Sequence, residues 1–339
     1  MDLNLIWYIL LGVLLTGYAI LDGFDLGVGI MHWVLRDARQ RDVAVKAIGP
    51  LWDGNEVWLV TFGGALLAAF PEAYASLLSA FYLPVMGLLF CLILRAVSID
   101  FRNKVASPFW RGTWDVGFFL SSLGATLVFG VAAGNLIRGI PLDERGDYTE
   151  STLELFNPYS IAVGVFAVTV FSLHGVIFLF LKTRGTVRQQ LYGWLWHSWG
   201  VFQIFYVLVT MLTLIEHPEV VANVKRFPWV IPIVIVNVIA VANIPRSIYY
   251  ESYGQAFVSS CISIGCLVTL LLIAIFPNLV YSSGVGRSLT LYNAASSQGT
   301  LWLMLIIAMV GVPLIGAYTW IIYWTFRHPV DISTSETHS

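Results

Sequence analysis

The sequence ILDGFDLG at residues 20–27 places two carboxylates, Asp22 and Asp25, inside an otherwise apolar segment. No Lys or Arg lies between Met1 and Arg36, so this segment has no basic partner of its own for the two acids. A carboxylate in hydrocarbon costs about 3 kcal/mol on insertion scales, and it persists only where it faces protein, water or a proton path. The pair therefore indicates either a functional position or a contact with another subunit.

A second run, GPLWDGNEVW at residues 49–58, places Asp53 and Glu56 at the edge of another apolar segment. The acids of each run are three residues apart, so on a helix both side chains of a pair share one face. Two interpretations remain open at this point. The acids either handle protons, or they cap helix starts and bond to neighbouring side chains, since a helix N-terminus stabilises an anion without any further function.

The composition identifies the class of protein. The 339 residues are 58% hydrophobic and only 11% charged, with a mean hydropathy of +0.79. Soluble domains carry about 25% charged residues, so this surface cannot face water all round. Apolar runs of about 20 residues, which cross roughly 30 Å of hydrocarbon, recur along the chain. We therefore expect an all-α, polytopic membrane protein, and the net charge of −2 gives no argument for nucleic-acid binding.

About nine transmembrane helices, packed as helical bundles, are expected in a single domain over residues 1–328, followed by a polar tail over 329–339. The first run has no basic segment before it and continues into Asp22, which is typical of a retained helix rather than a cleaved signal peptide. The expected spans are 5–33, 50–70, 77–98, 113–136, 158–182, 191–215, 230–247, 256–280 and 300–326.

Basic residues indicate the orientation, because cytoplasmic loops carry an excess of Lys and Arg. With the N-terminus outside, the inner loops and the C-terminal end hold thirteen basic residues and the outer loops hold five. The sequence therefore predicts an external N-terminus and a cytoplasmic C-terminus. Asp22, Asp25, Asp53, Glu56 and Asp115 then all lie near the cytoplasmic side, as proton entry from the cytoplasm requires. The inner basic residues are Arg36, Arg39, Arg41, Lys46, Arg95, Arg102, Lys104, Arg111, Lys182, Arg184, Arg188, Arg246 and Arg327.

Residues that could hold a metal or a haem are sparse. The six histidines form no HExxH or CxxCH motif and no pair at i, i+4. His32, His174 and His197 lie within or near spans, where we expect a hydrogen bond to a neighbour rather than a metal. The three cysteines lie in apolar runs and are interpreted as small buried hydrophobes. If the protein works with redox cofactors, these isolated histidines place the cofactors in another subunit. Neither a P-loop nor a GxSxG or Rossmann glycine pattern of soluble enzymes occurs.

Nine stretches, spread over essentially the whole chain, are specific when they are taken together. In chain order they are DGFDLGVG at 22–29, GPLWDGNEVWL at 49–59, FGGALLAAFP at 62–71, FYLPVM at 81–86, SIDFRNK at 98–104, WRGTWDVGFF at 110–119, GVAAGNLIRGIP at 130–141, LFNPYS at 155–160 and SLTLYNAASSQGTL at 288–301. In this order they resemble subunit II of the cytochrome bd-type quinol oxidases. The resemblance is weakest from about residue 220 to residue 287.

The resemblance implies a complex in the bacterial cytoplasmic (inner) membrane that oxidises ubiquinol or menaquinol and reduces dioxygen to water. Such a complex generates a proton gradient with protons taken from the cytoplasm. The family's subunit I carries the haems, haem b and haem d, while subunit II is haem-free and packs beside it. The resemblance also implies contact with lipid and quinol, a small single-helix accessory subunit, and in some members a structural quinone in subunit II.

Residue by residue, the resemblance implies a proton pathway and no catalytic residue in this chain. The channel aspartate of the WDGN motif corresponds to Asp53, and the aspartates of the DGFD motif correspond to Asp22 and Asp25. Glu56 stands where some members have glutamine, so its added charge depends on pH. Two other hypotheses remain open: a stand-alone transporter that couples protons to a substrate through these acids, and a scaffold with capping carboxylates. The sequence shows no convincing internal repeat, which a transporter would favour.

Overall fold

The computed structural model describes residues 1–330, which contain twelve α-helices. A short antiparallel pair, β1 (Asn278–Val280) and β2 (Leu289–Thr290), lies between the last two helices. The helices are α1 (Leu3–Ile30), α2 (Ala38–Ile48), α3 (Trp52–Ala69), α4 (Pro71–Ala80), α5 (Tyr82–Phe101), α6 (Pro108–Arg138), α7 (Pro158–Lys182), α8 (Gly185–Glu216), α9 (Glu219–Arg226), α10 (Ile231–Tyr249), α11 (Tyr253–Ile275) and α12 (Gln298–Thr325).

The expected all-α polytopic fold is confirmed. Within residues 1–330, eight helical segments are long and apolar enough to cross a membrane, and a ninth span results if α3 and α4 are counted as one bent pair. These two helices bend by 120° at Phe70, which precedes Pro71 at the first position of α4. Proline disfavours the helical conformation of the residue before it and cannot continue the hydrogen-bond ladder, so the chain turns there.

Several boundaries differ from the expectation. The third span was expected from residue 77, but residues 71–80 belong to α4 and α5 begins at Tyr82. The sixth was expected from residue 191, and α8 begins six residues earlier, at Gly185. The predicted polar tail begins with residues that are held in place, since the Val330 amide donates to the Lys182 carbonyl at 2.8 Å. Residues 331–339 of that tail lie outside the described residues.

Helix starts follow recognisable sequence signals. The Asp2 side chain accepts the Leu5 amide at 3.1 Å and caps α1. Asn157 accepts the Ser160 amide at 2.9 Å, directly before the proline that opens α7. Such caps satisfy amides that have no partner within the helix. These caps determine the residue at which α1 and α7 begin.

The helix α1 lies at the centre of the bundle and packs against α3, α6, α7 and α11. Its crossing with α7 is very close: a Cβ added at Gly27 would lie 1.8 Å from the Phe171 carbonyl oxygen. A Cβ at Gly175, on the facing side of α7, would lie 2.4 Å from the Gly27 carbonyl carbon. Only glycine permits this approach of the two backbones. The crossing therefore fixes the position, relative to α7, of the α1 segment that carries Asp22 and Asp25.

Two apolar clusters fill the interior at opposite ends of α1. Near its C-terminal half, Phe24 is fully buried and stacks on Phe178 with ring centroids 4.0 Å apart. Near its start, the Trp7 indole donates to the Leu301 carbonyl at 3.0 Å.

The loop after α6 closes over this second cluster. Within that loop the amides of Asp147 and Arg145 donate to the Asp143 carboxylate, and these hydrogen bonds hold the pKa of Asp143 below its ordinary value.

Candidate functional site: a buried carboxylate cluster

Arg95, on α5, is the centre of a buried ion cluster. Its Nη1 lies 2.7 Å from Oδ1 of Asp22 on α1, and its Nη2 donates to Glu56 on α3. The side chains of Arg95 and Asp22 are fully buried, whereas that of Glu56 is 25% exposed. Three helices therefore meet at one guanidinium group. The predicted grouping of Asp22 with Glu56 has a definite cause, which is the cation between them.

Arg95 is the residue that the sequence analysis missed. It was counted among the basic residues of an inner loop, and Asp22 was left without a cation. The structure corrects both points, because Arg95 lies inside α5 with no exposed side chain. A guanidinium is tolerated there only because carboxylates compensate its charge. The signal was available: buried acids on one span require a cation from another, and Arg95 ends the apolar run of α5.

Asp25 has an amide rather than a cation as its partner. Nδ2 of Asn55, on α3, donates to Oδ2 of Asp25 at 2.7 Å and to the Leu21 carbonyl at 3.1 Å. The Tyr323 hydroxyl, on α12, donates to Oδ1 of Asn55 at 3.1 Å. The orientation of the Asn55 amide is therefore fixed on both sides, because its nitrogen donates to two acceptors and its oxygen accepts from Tyr323. Asn55 lies within the WDGN motif and could have been singled out from it, whereas nothing in the sequence joins Tyr323 to this site.

The cluster holds more acid than base. Asp22 and Glu56 contact a single guanidinium, that of Arg95, and Asp25, one turn from Asp22 on α1, accepts a hydrogen bond from Asn55 instead. Neither oxygen of Asp22 accepts a hydrogen bond of good geometry within residues 1–330, and Oδ1 of Asp25 has no hydrogen-bond partner there. Uncompensated charge in such a position is very costly. The arrangement is therefore chemically suited to binding and releasing protons rather than to holding three carboxylates ionised.

Asp53 lies apart from this cluster. It occupies the first turn of α3 and is exposed, and the described residues offer its carboxylate no hydrogen bond or ion pair. Glu56, one helical turn further on, already contacts Arg95. Asp53 is thus an exposed acid next to a half-buried acid that touches the buried cluster. The four predicted site residues form a series from the surface to the interior.

Asp115, which the sequence placed on the same side of the membrane, belongs to a second buried cluster. Its Oδ1 lies 2.7 Å from Nε2 of His32 and 2.5 Å from Nε of Arg102. Nη1 of Arg41, on α2, lies 3.1 Å from its Oδ2, and Arg102 also pairs with Asp42. The five acids therefore do not form one group. This second cluster joins the turn after α1 to α2, to Arg102 directly after α5, and to α6.

The histidine deepest in an apolar span is fully engaged within the chain. Nε2 of His174 donates to the Ile20 carbonyl at 3.0 Å, and its Nδ1 lies 2.9 Å from the Ser260 hydroxyl. The ring stacks on Phe257 with centroids 5.0 Å apart. Between residues 1 and 330, no group of three or more His, Cys, Asp or Glu side chains is arranged to hold a metal ion.

An apolar groove runs between α1, α3 and α12, with a volume of about 360 Å³. A cleft of this size is within the range that binds a small ligand or part of a larger apolar one. Gly64 forms part of its floor and has no atom within 4 Å of the position where a Cβ would lie. The groove is lined by Trp7, Leu10, Leu14, Thr61, Gly64, Ala65, Met304, Ile307, Ala308, Gly311, Val312 and Ile315.

Removing Arg95 alone should cost more stability than removing it together with Asp22. The Arg95→Gln variant leaves an uncompensated buried charge, which costs about 3–5 kcal/mol of unfolding free energy. The double variant Asp22→Asn/Arg95→Gln removes that charge and should recover a clear part of the loss. Thermal unfolding of the detergent-purified protein measures both, with exposed Lys104→Gln as the control. Equal losses in the single and double variants would contradict the ion pair.

Comparisons with known proteins agree with one another. The family model described as cytochrome bd terminal oxidase subunit II matches residues 3–326. Cytochrome bd-I ubiquinol oxidase subunit 2 of Escherichia coli is 35% identical over 362 residues, which cover 95% of this chain and 93% of the relative. Cytochrome bd ubiquinol oxidase subunit 2 of Bacillus subtilis is 33% identical over 333 residues, 97% of each chain.

A solved structure shows the same fold. The structure of the bd oxidase from Geobacillus thermodenitrificans includes a chain that superposes with a TM-score of 0.80 at 18% identity, covering 96% of this chain and 99% of that one. The apolar helices and these relatives identify a multi-pass protein of the bacterial inner membrane. The chain therefore belongs to the family of subunit II of the cytochrome bd terminal oxidases, and it is one subunit of a quinol-oxidising enzyme complex.

Proposed function

We propose that this subunit carries protons from the cytoplasm into the oxidase through Asp53, Glu56, Asp22 and Asp25, while it also supports the haem-bearing subunit I. The observation that carries the proposal is that three carboxylates, two of them fully buried, are accompanied by one guanidinium group, that of Arg95. Acids with incomplete compensation in a membrane interior mark proton relays. The reaction of the complex consumes protons when dioxygen is reduced to water, and a relay of these acids would supply them.

The order of the acids supports a direction for the pathway. Asp53 is exposed, Glu56 is partly exposed, and Asp22 and Asp25 are buried. Glu56 and Asp22 both contact Arg95, whose positive charge holds the two acids close together without a like-charge conflict. A proton taken up at Asp53 would thus reach the buried acids through Glu56. In this proposal Arg95 and Asn55 are positioning residues, and the four acids carry the proton.

The proposed entry from the cytoplasm requires the predicted orientation, with the N-terminus outside and the C-terminus inside. The support is the excess of thirteen basic residues over five on the side assigned to the cytoplasm. That side includes α2 and the start of α3, where Asp53 lies. The pathway would therefore begin at the cytoplasmic face, which is where the gradient-forming reaction must draw its protons.

We further propose that haem b and haem d lie in subunit I. The engagement of both His174 nitrogens supports this assignment.

The long helices α8, α10 and α12 are mostly exposed in the isolated chain, and these surfaces suit lipid, subunit I and a small single-helix accessory subunit. The family membership decides against a stand-alone transporter. Under the scaffold hypothesis the acids only hold helices together and carry no proton. The next experiment distinguishes this hypothesis from the proton pathway.

Replacing Asp53 with Asn should lower quinol oxidase turnover at least about 100-fold, because it keeps the shape but removes the titratable group. Asp25→Asn should lower turnover in the same way without loss of assembly. Both are measured as oxygen consumption and as proton uptake by inverted membrane vesicles, with haem content as the measure of assembly. Exposed Asp100→Asn, on the end of α5, is the matched control.

Two outcomes would contradict the pathway. Native turnover in the assembled Asp53→Asn enzyme would remove Asp53 from it. Failure of Asp25→Asn to assemble with subunit I, together with native turnover in Asp53→Asn, would favour the scaffold hypothesis, in which the carboxylates only hold helices together.

The haem assignment predicts that His174→Ala retains every haem band of the intact complex. The substitution removes two hydrogen bonds within the bundle, so the complex should lose thermal stability by about 1–3 kcal/mol while its visible spectrum stays unchanged. Absorbance spectra of the purified complex, with both subunits quantified, check this expectation. Loss of one specific haem band with both subunits present would show that His174 is a ligand.

We propose that a structural quinone, where this enzyme holds one, lies in the groove between α1, α3 and α12. The apolar lining and the volume of about 360 Å³ support this location. Gly64→Leu fills the floor of the groove and should reduce the quinone extracted from the purified complex several-fold, whereas Gly193→Leu, on exposed α8, should not. Unchanged quinone content in Gly64→Leu would place the quinone elsewhere.

A further inference from the structure

The charges on the side assigned to the cytoplasm are divided unevenly along the chain. In residues 1–157, eight basic residues on that side are matched by eight acids. In residues 158–330, five basic residues share that side with one acid, Glu251, and two further acids, Asp331 and Glu336, lie outside the described residues. The C-terminal half of the chain therefore presents net positive charge there. We call its five basic residues the basic surface: Lys182, Arg184, Arg188, Arg246 and Arg327.

The two sets of basic residues have different partners. In the N-terminal set, Arg41, Arg95 and Arg102 pair with carboxylates inside the protein. No ion pair within residues 1–330 includes a residue of the basic surface. Much of the charge of the first set is therefore compensated within the chain, whereas the basic surface remains for a partner of opposite charge.

Aromatic rings, rather than acids, contact the cations of the basic surface. Four of the five lie over a ring, at 4.2–5.9 Å from its centroid. A cation over an aromatic face keeps its full charge, and Tyr and Trp rings at helix ends are typical of the level of the lipid head groups. The pairs are Lys182 on Phe178, Arg188 on Phe180, Arg246 on Tyr250 and Arg327 on Trp324.

Arg188 is held more closely than the other cations. It lies near the start of α8, and its guanidinium is 4.6 Å from the ring centroid of Phe180, on α7, and 5.1 Å from that of Tyr253, on α11. The two ring centroids are themselves 4.3 Å apart. Three helices thus meet around one guanidinium that has no acid as its partner. Arg184, one helical turn earlier and exposed, adds a second cation.

The other cations lie on helices that adjoin this junction. The Lys182 ammonium donates to the Phe326 carbonyl, which brings the end of α12, with Arg327, to the end of α7. The helix α10 packs along α11, which begins at Tyr253, and Arg246 lies in the last turn of α10. The basic surface therefore extends over the ends of α7, α10 and α12 and the starts of α8 and α11.

We infer that the basic surface binds the phosphate group of an anionic phospholipid, with the Arg188 guanidinium at the centre of the site. A planar guanidinium presents parallel N–H donors that match two phosphate oxygens, and the two rings orient this one before a lipid binds. The helices α8 and α10, which lead from the site into the membrane, are apolar and mostly exposed, so lipid chains can lie against them. The site is separate from the proposed proton pathway, whose acids lie on α1 and α3.

Titration of the purified intact oxidase with phosphatidylglycerol, followed by native mass spectrometry, tests this site. At a lipid concentration that just saturates the native enzyme, Arg184→Gln/Arg188→Gln should retain one phosphatidylglycerol molecule fewer. Restoring it should take about 25-fold more lipid, because each basic residue next to a membrane contributes about fivefold in affinity. The matched control is Arg39→Gln/Lys46→Gln, which removes the same charge from exposed positions of α2 and should retain the native number.

A third variant separates an oriented site from diffuse attraction. Tyr253→Leu leaves the net charge unchanged and keeps an apolar side chain, but it removes one of the two rings that contact Arg188. It should weaken binding of the same lipid molecule about threefold. Native affinity in Tyr253→Leu, or equal losses in the two double variants, would show only the attraction of any positive surface for anionic lipid, and would overturn the site.

Three further results would also overturn the proposal. Native retention of phosphatidylglycerol in Arg184→Gln/Arg188→Gln would remove both arginines from lipid binding. Loss of subunit I from that variant, seen as a lower haem content, would make the basic surface an interface between the two subunits. Displacement of the lipid by inorganic phosphate at equal concentration would assign the site to a free anion.

Discussion

The ion pair between Asp22 and Arg95 is the interaction on which this architecture depends. Both side chains are fully buried, so each of these charges is tolerable only because the other is present. The pair is therefore a mutual constraint between α1 and α5 rather than a source of net stability. Glu56 extends the constraint to α3, and the three helices that carry the candidate pathway are held at one level by a single guanidinium group.

Backbone packing makes this polar interior possible. The close crossing at Gly27 and Gly175 packs one side of α1 against α7, while Asp25 contacts Asn55 on α3 and Asp22 contacts Arg95 on α5. Glycine recurs where α1 meets α6, at Gly29, and there the space goes to a hydroxyl group instead of a backbone. Glycine thus allows close backbone packing against α7 on one side of α1, and on another side it allows the close approach of a serine hydroxyl from α6.

Much of the fold could be predicted from the sequence because hydropathy and length determine which segments cross a membrane. The acids of the DGFD and WDGN motifs also stood out, since carboxylates are conspicuous in apolar runs. What the sequence could not provide was the set of contacts between spans. Arg95 looked like a flanking loop residue, because a basic side chain at the end of an apolar run is typical of the membrane boundary, and Tyr323 was one tyrosine among fifteen. The short helices α4 and α9 were missed because short helices carry weak periodic signals.

The hydrogen bond from Tyr323 to Asn55 has a consequence for how the protein is made. The Asn55 nitrogen donates to Asp25 and to the Leu21 carbonyl, while its oxygen accepts from a hydroxyl that lies near the end of the last helix. During synthesis the two motifs that carry the acids leave the ribosome first, more than 260 residues before this tyrosine. Until then the oxygen of the Asn55 amide lacks this donor. The acid cluster therefore acquires its final hydrogen-bond pattern only when the chain is nearly complete, and an interrupted chain would insert its acids into the membrane without the hydroxyl that completes the pattern.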